Sequence, residues 1–254
     1  MATYEVVDGV GIIPPGTERI EERAFYSNKC LKSVVILDSV TEIGSEAFAF
    51  CSALTDVRFS NSLEKIGLGA FRECPISSIN LPSSLKKIDS SAFYDTKITS
   101  VVIPAGLLFV DRLAFFGSPI ESLVVEEGNA YYDSRDNCNA IIKTFYNKLI
   151  RGCMNTVIPP TVTSIDVMAF GKCPGLKQIT IPTSVVEIAD YAFHDSADLE
   201  IVTFDGVEIE MDKKGYVFSG CPSLKTINVP VKKLTYYKKK IDKDLHGLLV
   251  EPIL

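Results

Sequence analysis

The chain has 254 residues, of which 46% are hydrophobic and 23% charged, and its formal net charge is −6. This composition is typical of a folded protein with a sizeable core and excludes a disordered chain. The mild acidic excess gives no reason to expect nucleic-acid binding. No apolar stretch approaches the roughly 20 residues of a membrane-spanning helix.

The N-terminal residues precede the repeated part of the sequence, and we expect residues 1–12 to form an N-terminal cap. The start, Met1–Glu5, has neither the basic n-region nor the apolar h-region of a signal peptide. Either the protein stays inside the cell, or a leader has been removed from the chain. These residues are compatible with both alternatives.

An Ala-Phe dipeptide recurs along the chain and marks an internal repeat. Successive phenylalanines lie 22 or 23 residues apart, except for one interval of 55 and a last interval of 25. A fixed period of this length is typical of solenoids, in which each coil contacts only the next. The copies are Ala24-Phe25, Ala47-Phe48, Ala70-Phe71, Ala92-Phe93, Ala114-Phe115, Ala169-Phe170, Ala192-Phe193 and the degenerate Val217-Phe218.

Two further columns keep phase with the phenylalanine. The aliphatic column, five positions before it, consists of Ile20, Ile43, Ile66, Ile88, Val110, Ile165 and Ile188. The small-residue column, three positions after it, consists of Cys51, Cys74, Thr96, Ser118, Cys173, Ser196 and Cys221. Because Ser or Thr replaces Cys freely and no CxxC occurs, we interpret these cysteines as buried, inert thiols.

A run of the form L-x-x-V-x-I follows in each copy, as in Ile98/Val101/Ile103. Its last two apolar residues lie two positions apart, so both point to one face of a strand. Stacking on the next coil buries that face and pairs the backbone, and a proline such as Pro104 often closes the run because it cannot donate to the ladder. We therefore predict a leucine-rich-repeat solenoid: a right-handed coil with a parallel β-sheet on one face, short turns or 3₁₀ helices opposite, and more strand than helix. About eight repeats would form a single domain over residues 1–240.

Residues 126–156 break the period and are predicted to contain an inserted β-hairpin. A turn centred on Phe145-Tyr146 would place Cys138 opposite Cys153, and we hypothesise a cross-strand disulfide between them. A one-residue register slip would move one of the two to the other face. The predicted strands are Ala140–Lys143 and Lys148–Arg151.

The end of the chain lacks the repeat, and we expect residues 241–254 to form a C-terminal cap, since a terminal coil would otherwise expose its interior. The stretch Leu234–Ile241 is compatible with a short amphipathic helix. We interpret the local lysines as a solvated face of the cap. They are Lys232, Lys233, Lys238, Lys239, Lys240 and Lys243.

The unit L-x-x-I-x-I-P-x-S-L-x-x-I-x-x-x-A-F-x-x-C resembles the BspA-type leucine-rich repeat of bacterial and protozoan surface proteins. Leu85 to Ile103 and Val162 to Ile181 carry the pattern, and Val217 to Pro230 looks like the last repeat of the family. The resemblance covers roughly residues 13–240. It implies surface display, adhesion to host proteins or contact with other bacteria, and secretion or a lipid anchor. The family provides no catalytic motif.

Motifs that would indicate catalysis are lacking in the sequence. The pair His194-Asp195 suggests a dyad, but no motif connects a reactive serine or cysteine to it, and His194 occupies a position in the Ala-Phe turn taken by tyrosine elsewhere. No P-loop, G-x-G-x-x-G or H-E-x-x-H occurs. We therefore predict that the protein is not an enzyme, and we predict neither a metal site nor a cofactor.

The candidate binding surface consists of the strand residues that lie between the inward apolar ones. Apolar residues at such positions, such as Val102 and Val124, favour a contact, although β-branched residues also suit strands in general. The outer strand residues are Val35, Arg58, Asn80, Val102, Val124, Thr180, Thr203 and Asn228, with Asp56 and Gln178 beside them.

The favoured function is therefore a non-catalytic, surface-displayed binding or adhesion module that presents its repeat sheet to a protein, such as a host extracellular or cell-surface protein. The alternatives are a glycan-binding surface protein and a structural spacer without a ligand. We expect secretion or cell-surface display, and the cytoplasm stays open as a compartment. Neither the ligand nor the oligomeric state follows from the sequence.

Overall fold

The computed structural model of the protein describes residues 4–206, 208–211 and 216–251. Short strands and turns dominate it, and the predicted solenoid with more strand than helix is confirmed. The helical elements are α1 (Leu234–Tyr237) and 3₁₀ segments at Arg135–Asn137, Thr144–Tyr146, Tyr216–Phe218 and Lys243–Leu248. The strands are β1 (Glu5–Val7), β2 (Val10–Ile12), β3 (Arg19–Ile20), β4 (Ser33–Val35), β5 (Glu42–Ile43), β6 (Asp56–Arg58), β7 (Lys65–Ile66), β8 (Lys87–Ile88), β9 (Ser100–Ile103), β10 (Phe109–Val110), β11 (Ser122–Val125), β12 (Tyr132–Asp133), β13 (Ala140–Lys143), β14 (Lys148–Gly152), β15 (Ser164–Ile165), β16 (Gln178–Ile181), β17 (Glu187–Ile188), β18 (Ile201–Phe204), β19 (Glu210–Met211), β20 (Thr226–Asn228) and β21 (Leu249–Val250).

The described residues fall into two compact units. Unit 1 contains the chain up to residue 120 together with residues 125–130, and unit 2 contains residues 121–124 and the chain from residue 131 onward. The single domain over residues 1–240 stays a prediction, and each unit is described by itself below.

Two sheets lie entirely within unit 1. The first sheet has the order β1-β2-β4-β6, in which β4 and β6 are parallel and Val34 lies level with Val57. The second sheet has the order β3-β5-β7-β8-β10 and is parallel throughout its two-residue strands. We predicted only one sheet. The aliphatic column forms a second one because its residues, buried side by side in register, also align the backbones that carry them.

Unit 2 repeats this arrangement. Its first sheet has the order β16-β18-β20-β21, with parallel strands. Its second sheet has the order β12-β13-β14-β15-β17-β19 and begins with the insertion. The predicted hairpin is present: β13 and β14 are antiparallel, and the 3₁₀ segment Thr144–Tyr146 connects them. From β14 onward the sheet is parallel, since β14 pairs with β15 in the same direction.

The repeated phenylalanines are all buried and stack in each unit. In unit 1 the rings from Phe25 to Phe115 follow one another at centroid distances of 5.0 to 5.5 Å, nearly parallel. In unit 2, Phe170, Phe193 and Phe218 stack in the same way. The alanine before each ring allows close approach of the next coil, whose carbonyl accepts from the Phe N–H, as in Phe48 N to Ala70 O at 2.8 Å. Among the described residues, the Ala-Phe copies form hydrogen-bonded turns. The degenerate copy Val217-Phe218 instead lies in the 3₁₀ segment Tyr216–Phe218.

The small-residue column has a common structural role. The Cys51 and Cys74 thiols donate to the carbonyls of Phe25 and Phe48, both at 3.0 Å, and the Ser118 hydroxyl donates to that of Phe93 at 2.8 Å. A buried carbonyl without a partner is costly. Ser and Cys replace each other at this position because both are small donors that satisfy the carbonyl of the preceding coil.

Both ends of the repeat are covered. At the N-terminal end, β1 and β2 form an antiparallel hairpin, and the Tyr4 ring packs against Phe25 at 5.4 Å. At the C-terminal end, α1 brings the fully buried Tyr237 to 4.8 Å from the Phe204 ring, and the Tyr237 hydroxyl donates to Gly206 O at 2.6 Å. The predicted short helix is confirmed over Leu234–Tyr237.

Candidate binding surface

In unit 1 the first sheet turns alternate residues outward, as the period of a strand requires. Val34 and Val57 are buried, whereas Val35, Asp56 and Arg58 are exposed. The register places Val35 level with Arg58. The predicted outer residues of β4 and β6 therefore do form neighbouring positions on one solvent-facing surface.

The predicted strand around Asn80 is not formed. Residues 77–81 run as irregular chain beside β9, since Ser and Asn are poor strand formers and Pro82 lacks an N–H. Asn80 is exposed there. The break leaves a groove of about 380 Å³, whose lining includes Asn80, Ser100, Glu126 and Val102, and the last of these is 48% exposed.

In unit 2 the outer positions form two rows across the first sheet. Gln178 and Ile201 are level with Thr226, and Thr180 and Thr203 are level with Asn228. The Asn228 amide donates to the Thr203 hydroxyl at 3.0 Å, so these two side chains are held in place and half-buried. Gln178 and Thr180 are exposed. Val124 of β11 is likewise solvent-facing.

A second groove, of about 440 Å³, lies beside β16. Three predicted residues, Gln178, Thr180 and Thr203, line it together with residues 156–158, Pro182, Ile201 and Asp205. Val157 on its wall is 73% exposed. We did not single out Val157 from the sequence. The repeat could have identified it as an outward residue, because Val157-Ile158-Pro159 has the same phase as Val102-Ile103-Pro104.

The groove beside β16 is lined by amide, hydroxyl and methyl groups, with Asp205 as its one carboxylate. Within residues 4–206, 208–211 and 216–251, no cluster of His, Cys, Asp and Glu could hold a metal ion. The His194 ring contacts the Asp195 carboxylate at 3.2 Å and the Ser219 carbonyl at 3.1 Å. These contacts hold the imidazole in the Ala-Phe turn of its coil. The lining of the groove beside β16, with its single carboxylate, suits contact with another polypeptide better than acid–base chemistry.

Cys138 and Cys153 are both buried, and both are free thiols in this structure. A bulge between Ile141 and Ile142 shifts the register, so that Ala140 pairs with Gly152. Continued by one residue, this register places Cys153 level with Asn139, whose carbonyl accepts from the thiol at 3.3 Å. The bulge is the one-residue slip considered above, and the disulfide stays a prediction.

The insertion also places aromatic side chains in solvent. Tyr131 is exposed, whereas its neighbour Tyr132 is buried because β12 turns it inward. At the hairpin turn Phe145 is 89% and Tyr146 67% exposed. From the sequence we used Phe145 and Tyr146 only to locate the turn of the hairpin, and we did not predict that they would be a binding feature.

Comparison with known proteins gives the family. Residues 18–142 and 140–241 match the family described as BspA type leucine rich repeat region, in six copies. No curated protein matches the chain. In the part of the chain that the structure describes, no helix is long and apolar enough to cross a membrane.

Several solved structures are similar in fold. A leucine-rich repeat protein from Eubacterium ventriosum superposes with a TM-score of 0.71 at 21% identity, covering 86% of this chain and 59% of that one. A leucine rich cell surface protein from Faecalibacterium prausnitzii gives 0.50 at 22% identity, over 89% and 79% of the two chains. The pneumococcal vaccine antigen PcpA gives 0.52 at 24% identity, over 84% and 54%. The chain therefore spans little more than half the length of the Eubacterium ventriosum protein and of PcpA. Because residues 18–142 and 140–241 match the family, the chain belongs to the BspA-type leucine-rich repeat family.

Proposed function

We propose that the protein is a non-catalytic, surface-displayed interaction module that binds a protein partner through the outward residues of its first sheets. The observation that carries the proposal is the groove beside β16, where Gln178, Thr180 and Thr203 lie in two ordered rows next to the exposed Val157. Small polar and β-branched side chains on a rigid sheet lose little conformational entropy on binding and allow close approach.

Surface display is supported by the family and by the printed description of the Faecalibacterium prausnitzii neighbour as a cell surface protein. The non-catalytic role is part of the same proposal, and the family assignment is what supports it. The adhesive role and the nature of the partner belong to the proposal.

The test uses an array of purified extracellular protein domains probed with the chain, followed by affinity measurements by interferometry. Thr180→Lys fills the groove with a long charged side chain and is expected to weaken binding at least tenfold. Glu187→Lys, an equally exposed change on the second sheet of unit 2, is the matched control and should leave the affinity unchanged. Equal affinities for wild type and Thr180→Lys would contradict the proposal. Binding confined to a glycan array would favour the glycan alternative.

A further inference from the structure

The turn of the inserted hairpin presents two aromatic rings to solvent, and we call Phe145 and Tyr146 the aromatic tip. The rings lie edge to face at a centroid distance of 5.1 Å, and no other aromatic contact involving Phe145 occurs among the described residues. A phenylalanine exposed to this degree contributes nothing to the core. Contiguous exposed apolar side chains on a soluble protein indicate an interaction site.

The backbone beneath the aromatic tip is fixed by a polar network. The Arg135 guanidinium donates to both carboxylate oxygens of Asp133, at 2.7 and 2.6 Å, and to the Asn147 side-chain oxygen at 2.8 Å. Asn147 closes the turn in the left-handed conformation, and its carbonyl accepts from Thr163 N at 2.9 Å. Burial raises the pKa of Asp133, but hydrogen bonds from Arg135 and Thr144 and the positive charge of Arg135 together outweigh it, so that the pKa lies below its usual value. The rings are thus displayed on a preorganised turn, which lowers the entropic cost of binding.

Two lysines flank the aromatic tip with the same charge. Lys143 and Lys148 lie directly across from each other in the β13–β14 pair. Like charges at such positions repel, and neither ammonium has an ion-pair partner within residues 4–206, 208–211 and 216–251. A carboxylate supplied from outside would relieve this repulsion. Aromatic rings bordered by unpaired cations are complementary to an apolar pocket with an acidic rim.

We infer that the aromatic tip is an anchor that inserts into an apolar pocket, rimmed by carboxylates, on a folded partner protein. The inference rests on the proposed function and adds a second contact, because β14 belongs to the second sheet and not to the rows around Thr180. A lipid surface fits less well, since two rings provide little apolar area for insertion into a bilayer.

The test repeats the array of extracellular domains with Phe145→Ser and Phe145→Leu. For each domain that wild type binds, burial of the ring predicts a loss of about 10- to 100-fold in affinity for the serine variant and a smaller loss for leucine. Lys143→Glu is expected to lower the association rate and to abolish its salt dependence. Leu68→Ser, an exposed apolar position in unit 1, is the control and should have no effect. Thermal melts should be identical for wild type and the two Phe145 variants, since the ring does not contact the core.

The outcomes separate this inference from the proposed function. Binding that falls with Thr180→Lys but not with Phe145→Ser overturns the inference that the aromatic tip is an anchor, and it agrees with the proposed function. An empty array overturns both. Co-sedimentation of wild type, but not of Phe145→Ser, with vesicles of phosphatidylcholine and phosphatidylserine overturns the protein partner in favour of a membrane.

Discussion

The stacked phenylalanines of unit 1 make a quantitative prediction at Phe71. Its ring is fully buried and lies 5.0 Å from Phe48 and 5.5 Å from Phe93, within 6° of parallel to both, with Phe59 edge-on at 5.7 Å. Phe71→Ala removes these contacts and leaves a cavity that the coils on either side cannot close. Phe-to-Ala changes in protein cores cost about 3–5 kcal/mol of unfolding free energy.

The contacts place Phe71 in the upper part of that range. Each aromatic pair contributes about 0.5–1.5 kcal/mol beyond the burial of area, and this ring takes part in three pairs. Phe25 stacks on one phenylalanine, at 5.1 Å, and has Tyr4 at its edge. We therefore expect about 4–5 kcal/mol for Phe71→Ala and about 3 kcal/mol for Phe25→Ala. Phe71→Leu keeps most of the apolar volume and should cost about 1–2 kcal/mol.

The assay is equilibrium unfolding in guanidinium chloride, followed by far-UV circular dichroism because the chain contains no tryptophan. Phe145→Ala is the matched control, since its ring is exposed and its loss should change stability by less than about 0.5 kcal/mol. A cost below about 1 kcal/mol for Phe71→Ala, or a larger cost at Phe25 than at Phe71, would refute the view that the stacked rings hold unit 1 together.

Three further predictions concern backbone approach, thiol reactivity and the pH dependence of stability. A Cβ on Gly44 would lie 2.7 Å from Ile20 O, so Gly44→Ala should lower the unfolding free energy by about 1–3 kcal/mol, whereas Gly247→Ala, in open space, should not alter the melt. In Ellman titrations of the native chain only the exposed Cys30 should react rapidly, against seven thiols after denaturation, or five (seven minus two) if the predicted disulfide forms. Burial raises the pKa of Cys138 and Cys221 from 9.0 to about 11. Between these values the folded state keeps protons that the unfolded state loses, so unfolding midpoints should fall from pH about 9 to 11, and a flat profile would contradict this.

Much of the fold could be read from the columns of the sequence. Ala-Phe, the aliphatic residue five positions earlier and the L-x-x-V-x-I run each identify inward positions, because a repeat places chemically equal residues in equal environments. The outward positions follow by alternation, and Val35, Arg58 and Thr180 are indeed exposed. The hairpin was predictable for the same reason, as two apolar runs of matching length flank a short turn.

Other features depend on contacts between coils. The second sheet, the break at residues 77–81 and the two grooves beside β9 and β16 arise from whether neighbouring backbones come into hydrogen-bonding register, which no single repeat specifies. The bulge at Ile141 shows the same limit, since one extra residue decides whether Cys153 faces Cys138 or Asn139.

Hydrophobic periodicity is a local property of the chain, and for this reason the solenoid, its buried columns and the position of the insertion could be predicted from the residues alone. Which outward residues lie side by side around a groove depends on how the coils pack. The same holds for Phe145 and Tyr146, which lie in solvent on a turn fixed by Arg135. Exposure of an apolar residue is set by what packs against it, and this information lies in the arrangement of neighbouring coils and not in the residue itself.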